Sequence, residues 1–264
     1  MPATTSPEPA LHAIRLEKRD HIAFITLARP QEGNPVDARL IAELADACEA
    51  IEPDPEVRVV LVSAGDAPHF CLGWDWRWLQ ADEGLDWGSL SRAFEPLAQL
   101  PRPVVCAVAG QCLSAGLELA LACDVRICAE DARFALPETG LGLIPLAGGT
   151  QRLARAVGRS WASYLVLTGQ EIGAREALGM GLVSSVVARG ELMTRAEELC
   201  RSIARRGPIA VRYAKEAVQR GCEMPLEQAL RYETDLTIIL QTTHDRAEGV
   251  RAFLEKRPPH FTGT

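Results

Sequence analysis

The sequence predicts an α/β fold, a core of alternating strands and helices followed by a helical C-terminal appendage. Up to about residue 148, short β-branched apolar runs alternate with segments of helical period. Past that point helical pattern prevails, interrupted by a single strand-like run at 182–187 (LVSSVV). Composition agrees, since 264 residues with 47% apolar and 24% charged content suffice for a large core and exclude disordered or low-complexity classes.

The elements follow in order. Residues 22–27 (IAFITL) form a strand that stops at Arg29-Pro30. Asp37 is a good N-cap for the helical run that begins at Ala38. Residues 57–63 (VRVVLVS) read as a buried strand, and 70–88 holds four of the five tryptophans without a clean period. A second buried strand, 104–109 (VVCAVA), precedes Gly110 and a helix-like LELALA at 117–122. Short strands are predicted at 124–128 and 133–136, then helices near 190–205, 208–221, 225–240 and 243–255. Residues 1–14 read as a disordered tail, 15–195 as the core and 196–264 as a C-terminal helical region.

Lys and Arg number 28 against 35 Asp and Glu, a net charge of −7, which disfavours nonspecific binding to nucleic acid or anionic membranes. No apolar run approaches the ~20 residues that span a bilayer, so no membrane partner is expected. The eight cysteines are scattered through apolar context without a C-x-x-C pair, and no histidine stands in zinc-ligand spacing beside the close pairs Cys106/Cys112 and Cys123/Cys128. They read as small buried hydrophobes in a reducing, cytoplasmic setting, and no metal site is expected.

Nucleotide and hydrolase signatures are absent: no G-x-G-x-x-G, no G-x-x-x-x-G-K-[ST] and no G-x-S-x-G occurs. The five histidines show no paired spacing, and Arg152, Arg155 and Arg159 read as one solvated helix face. Carboxylates and glycine-rich backbone remain. Glu118 lies in SAGLELALACD, the most apolar helical turn of the chain. It is either part of a polar stripe or a buried acid with an elevated pKa. Glu138 lies in a loop with Pro137, Gly140 and Gly142, where carboxylates are usually solvated or capping. Together the two form a candidate acid/base pair.

Ser114-Ala115-Gly116 place small residues at a strand-to-helix junction, where unpartnered N–H groups could bind an oxyanion or where helix and sheet pack closely. Gly73 and Trp74 in FCLGWDW offer a second amide, and Trp74, Trp76 and Trp78 either line a pocket or anchor the loop.

These segments resemble the enoyl-CoA hydratase/isomerase (crotonase) superfamily across nearly the whole chain, from IAFITLARP (22–30) to FLEKRPPHF (253–261). The specific motifs are FCLGWD, AGQCLSAGLELALACD (109–124) and FALPETGLGLIPLAGGTQRLARAVG (134–158). The resemblance implies a spiral of repeated ββα units with a C-terminal helical trimerisation region, forming a homotrimer or a dimer of trimers. It places the two oxyanion-hole amides on Trp74 and Ala115 and the catalytic glutamates on Glu118 and Glu138. It assigns Arg29, Gly73, Arg77, Phe253 and Lys256 to binding coenzyme A, which is part of the substrate, so no separate cofactor is implied.

Retention of both glutamates points to a hydratase, with Glu118 as base and Glu138 as protonated donor. The alternatives are a double-bond isomerase using Glu138 alone and a non-catalytic acyl-CoA-binding relative. Ser114-Ala115 replace a Gly-Gly pair, Leu146 stands where glycine is frequent, and N-P-V (34–36) replaces N-A-L. These departures bear on the acyl group accepted.

Overall fold

The computed structural model describes residues 12–81 and 84–264. A hairpin opens the chain, β1 (Ile14–Arg19) against β2 (Ile22–Leu27), turned by Asp20 and His21 at positive φ. In α1 (Ala38–Ile51) the Asp37 side chain accepts from the Leu40 amide, the N-cap the sequence predicted. There follow β3 (Val59–Ser63) and three short helices, α2 (Trp76–Ala81), α3 (Trp87–Leu90) and α4 (Glu95–Ala98). Next come β4 (Val104–Val108), β5 (Gln111–Leu113), α5 (Ala115–Leu121), β6 (Val125–Ala129) and β7 (Arg133–Ala135). α6 (Gly149–Thr168) is kinked at Gly158, and β8 (Ile172–Gly173), α7 (Ala174–Gly179) and β9 (Ser185–Val187) follow it. The chain closes with α8 (Leu192–Ala204), α9 (Pro208–Gly221), α10 (Leu226–Leu240) and α11 (His244–Leu254).

The strands form two sheets. The larger has the order β1-β2-β3-β4-β6-β9, parallel except for the edge strand β1. The smaller has the order β5-β7-β8, and a parallel bridge between Cys71 and Cys112 adds the 71–74 segment to its edge. β4, β5 and α5 make one repeat and β6, β7 and α6 the next, each giving a strand to either sheet before a helix. This is the ββα spiral that the sequence led us to expect.

β3 and β4 are buried along their whole length because both faces of the large sheet are covered. Val60, Val62, Cys106 and Val108 enter a core shared with α1 and α5. Val59, Leu61, Val105 and Ala107 face Leu192, Ala196, Cys200 and Ala204 of α8. Fully burying each such aliphatic side chain contributes about 1.5–3 kcal/mol. Seven of the eight cysteines are buried, and burial pushes the Cys48, Cys71, Cys128 and Cys200 thiols up to about 12, so they behave as apolar filling.

Two expected boundaries move. A division at 195/196 would cut α8, whose buried face is one wall of the second core, so the core extends through Ala204. Of the expected tail, residues 1–11 lie outside the described residues, whereas Ala13 and Ile14 are buried and both donate their amides to Glu43. No helix among the described residues is long and apolar enough to cross a membrane.

Candidate active site

Four segments meet around the predicted residues. The 72–75 segment runs along 33–36 as an added strand: Leu72 N donates to Gly33 O, Val36 N to Gly73 O and Asp75 N to Val36 O, at 2.8–2.9 Å. This pattern directs the Trp74 N–H away from 33–36, and it has no acceptor among the described residues. Gly73 has a φ of +109°, and a Cβ there would stand 2.5 Å from the Ser114 Cβ. Glycine is therefore required for the loop to touch the β5–α5 junction.

Ala115 opens α5, so its N–H has no intrahelical acceptor. Gly116 packs that first turn against the loop, since a Cβ there would lie 2.6 Å from the Cys71 carbonyl oxygen. Residues Gly73 and Ser114, which precede the two amides, are thus in contact, and Trp74 and Ala115 are brought to one place. The ring of Trp74 is buried in the main core, with Trp76 and Trp78 half-buried against it, so these rings anchor the loop.

Glu118 is 0% exposed and Glu138 is 1% exposed. Glu118 therefore lies in no polar stripe: all of α5 is buried around it. Its Oε1 accepts from the Gly149 amide at 2.8 Å, at the positive N-terminal end of α6, while Oε2 has no partner among the described residues. Burial pushes the Glu118 carboxyl up to about 7. The nearby Glu138 charge adds to that rise, and the Gly149 amide and Arg152 oppose it.

Glu138 begins a 3₁₀ turn that is tied to α6 by the Thr139 hydroxyl donating to the Val166 carbonyl at 3.0 Å. Neither of its carboxyl oxygens meets a partner of hydrogen-bond geometry, and burial raises its titration, with the adjacent Ser114 hydroxyl acting against it. The two acids, 20 residues apart in sequence, are both buried, and the Glu138 charge acts on Glu118.

Gly149 and Arg152 were not among the expected site residues. Gly149 carried a signal only as part of the glycine-rich run before α6. Arg152 leaves the solvated face assigned to it: it is half-buried, donates to the Ala147 carbonyl at 2.9 Å and acts on Glu118. Arg155 and Arg159 remain exposed.

The expected coenzyme A residues come from three segments, the end of β2, residues 73–77 and the end of α11. The Arg29 guanidinium is 8% exposed and paired with Asp37 at 2.7 and 2.9 Å, and it also donates to the Pro35 carbonyl. Its cation is thereby occupied in clamping the 29–37 loop. Arg77 stands exposed in the first turn of α2, which Asp75 caps through the Arg77 and Trp78 amides. Phe253, 82% exposed, and Lys256 lie at the surface end of α11, with no hydrogen bond or ion pair from either side chain to the glutamate pair. Leu146 is half-buried against the main core.

Comparison with known proteins gives this arrangement its context. The family model described as enoyl-CoA hydratase/isomerase matches residues 17–264. The short-chain-enoyl-CoA hydratase of Clostridium acetobutylicum is 38% identical over 251 residues, covering 94% of this chain and 96% of that protein. The crotonyl-CoA hydratase of Syntrophomonas wolfei is 36% identical over 256 residues, covering 96% and 98%. The crystal structure of an enoyl-CoA hydratase from Bacillus anthracis superimposes with a TM-score of 0.91 at 38% identity, over 96% of this chain and 100% of that one. With the family model matching residues 17–264 and the fold matching over 96% of its length, the chain belongs to the enoyl-CoA hydratase/isomerase (crotonase) family of enzymes.

Proposed function

We propose that the protein catalyses the reversible hydration of a 2-enoyl-CoA to a 3-hydroxyacyl-CoA. The observation that carries this reading is that Glu118 Oε2 and both oxygens of Glu138 are buried and without partners among the described residues. Buried carboxyl oxygens are costly to leave unpaired, and a substrate water held between them would satisfy them.

The thioester oxygen would accept from the Trp74 and Ala115 amides, bonds that strengthen as enolate charge develops on it. Glu118 fits the base. The Gly149 amide and Arg152 support its anion, so it can take a proton from water as the oxygen bonds to C3. Glu138 fits the acid: burial without a charged partner favours its protonated form, which delivers a proton to C2. One proton enters the pair as another leaves it, so the titration belongs to the two together. An isomerase working through Glu138 alone would leave the support given to Glu118 without a use.

Coenzyme A forms part of the substrate, and this chemistry requires no further cofactor. Its phosphates would meet an exposed cation, Arg77 in α2 or Lys256 just past α11, where Phe253 is also exposed, with Gly73 lending backbone, whereas Arg29 acts by holding the loop. Exposed Leu143, Ile144, Trp161, Leu167, Leu230 and Phe253 support assembly as a homotrimer or a dimer of trimers. The buried thiols support a reducing, cytoplasmic setting.

The test is to offer short 2-enoyl-CoA and 3-enoyl-CoA thioesters and follow the conjugated thioester absorbance. Loss of absorbance with the 2-enoyl substrate supports hydration. Gain with the 3-enoyl substrate, and no loss with the 2-enoyl one, overturns it in favour of isomerisation.

A further inference from the structure

Ser114 sits at the N-cap of α5 and does not cap it. An N-cap serine ordinarily accepts from an amide two or three residues on, but here no such bond forms. Its φ of +53° and ψ of −129° lie where glycine is at ease and a residue with a side chain is strained, at a cost of about 1–3 kcal/mol. The hydroxyl is also buried, at 1% exposure, and has no partner of ordinary geometry among the described residues. Glycine at this position would remove both penalties while leaving the Ala115 amide in place.

Its surroundings show where the hydroxyl acts. The Ser114 amide donates to the Ala135 carbonyl at 2.9 Å, which fixes the junction three residues ahead of Glu138. On one side the serine abuts Gly73, where an added Cβ would fall 2.9 Å from its Oγ. On the other, the β5–β7 register that pairs Leu113 with Ala135 leads on to Glu138, whose two buried oxygens, like the serine Oγ, have no partner among the described residues. We propose that Ser114 is a positioning residue for Glu138, its hydroxyl turning to donate to the carboxyl and stabilising the carboxylate left once the proton has gone to C2.

This role rests on the hydratase reading for its purpose, though not for its test. The charged groups around the pair are Glu118 from α5 and Arg152 from α6, and the effect of Arg152 falls on Glu118. The Ser114 hydroxyl opposes the rise that burial gives Glu138.

The experiment compares Ser114→Ala, which removes the hydroxyl and keeps a strained backbone, with Ser114→Gly, which removes both. In protein labelled with 13C-glutamate, the Glu138 carboxyl resonance, assigned with Glu138→Gln, is titrated by NMR. Both variants should titrate Glu138 at higher pH than the parent protein. Both should also lower kcat about tenfold with little change in KM, and Ser114→Gly should melt no lower than the parent. An unchanged Glu138 titration in both variants overturns the proposal, as does a change confined to Ser114→Gly, which would assign the effect to the backbone. Failure of the parent to hydrate 2-enoyl-CoA overturns the hydratase reading alone, because the titration needs no turnover.

Discussion

Gly149 donates its amide to Glu118 Oε1 at 2.8 Å, and its own Cα leaves no room for a side chain: an added Cβ would stand 2.9 Å from that oxygen and 2.7 Å from the Pro145 Cβ. Glu118 is thus held by a backbone donor that only glycine can present so closely. Gly149→Ala must displace either the carboxylate or the 145–149 turn. We expect kcat to fall about tenfold to a hundredfold, with a far-UV circular dichroism spectrum like that of the parent.

Glu118 also links stability to pH. Burial raises its folded-state pKa to about 7 from an ordinary value of 4.5. Between those values the folded protein holds a proton that the unfolded chain has lost, so stability falls as pH rises through the window. Fully ionised, the group costs about 3 kcal/mol. Glu118→Gln should therefore melt higher than the parent at pH 8, and thermal melts should show the advantage shrinking toward pH 4.5. An advantage independent of pH would contradict the shift.

Arg152 should act on the base without touching substrate. Removing its charge leaves the Glu118 carboxylate less supported, so Glu118 in Arg152→Gln should titrate higher than in the parent protein. The acid limb of the kcat/KM profile should move to higher pH, giving a rate loss that is large near pH 6 and small near pH 9. Arg152→Lys should recover part of it.

Arg29 separates a structural cation from a ligand-binding one. With the guanidinium bound to Asp37 and the Pro35 carbonyl, Arg29→Met strands a half-buried carboxylate. Denaturant unfolding should show a loss of about 2–4 kcal/mol. KM for an acyl-CoA should change less than threefold at temperatures where the variant is folded. A large rise in KM with stability intact would return Arg29 to the coenzyme A site.

Much of this architecture is legible in the residues. The runs at β3 and β4 read as strands because parallel strands buried on both faces are apolar throughout. The sequence around β1 (IRLEKR) does not, because an edge strand with one solvated face carries charges freely. β5 and β8 span three and two residues, too few to express a period, and exist through their pairing with β7. α8 looks like any amphipathic helix, so its place on the large sheet is a property of the fold. Of the site, Glu118 is conspicuous as an acid among leucines. Its pairing with Glu138, the Gly149 amide and Arg152 depends on bringing α5, the 138–141 turn and α6 together, which no local pattern records.

The central claim is that two carboxylates hydrate the substrate together, and one comparison tests it most directly: hydration of a short 2-enoyl-CoA by Glu118→Gln and by Glu138→Gln. Both variants should fold and both should lose hydration, by roughly a thousandfold or more if each acid performs its own proton transfer. Normal hydration by Glu118→Gln alongside a dead Glu138→Gln would contradict the account and leave Glu138 as the only catalytic acid.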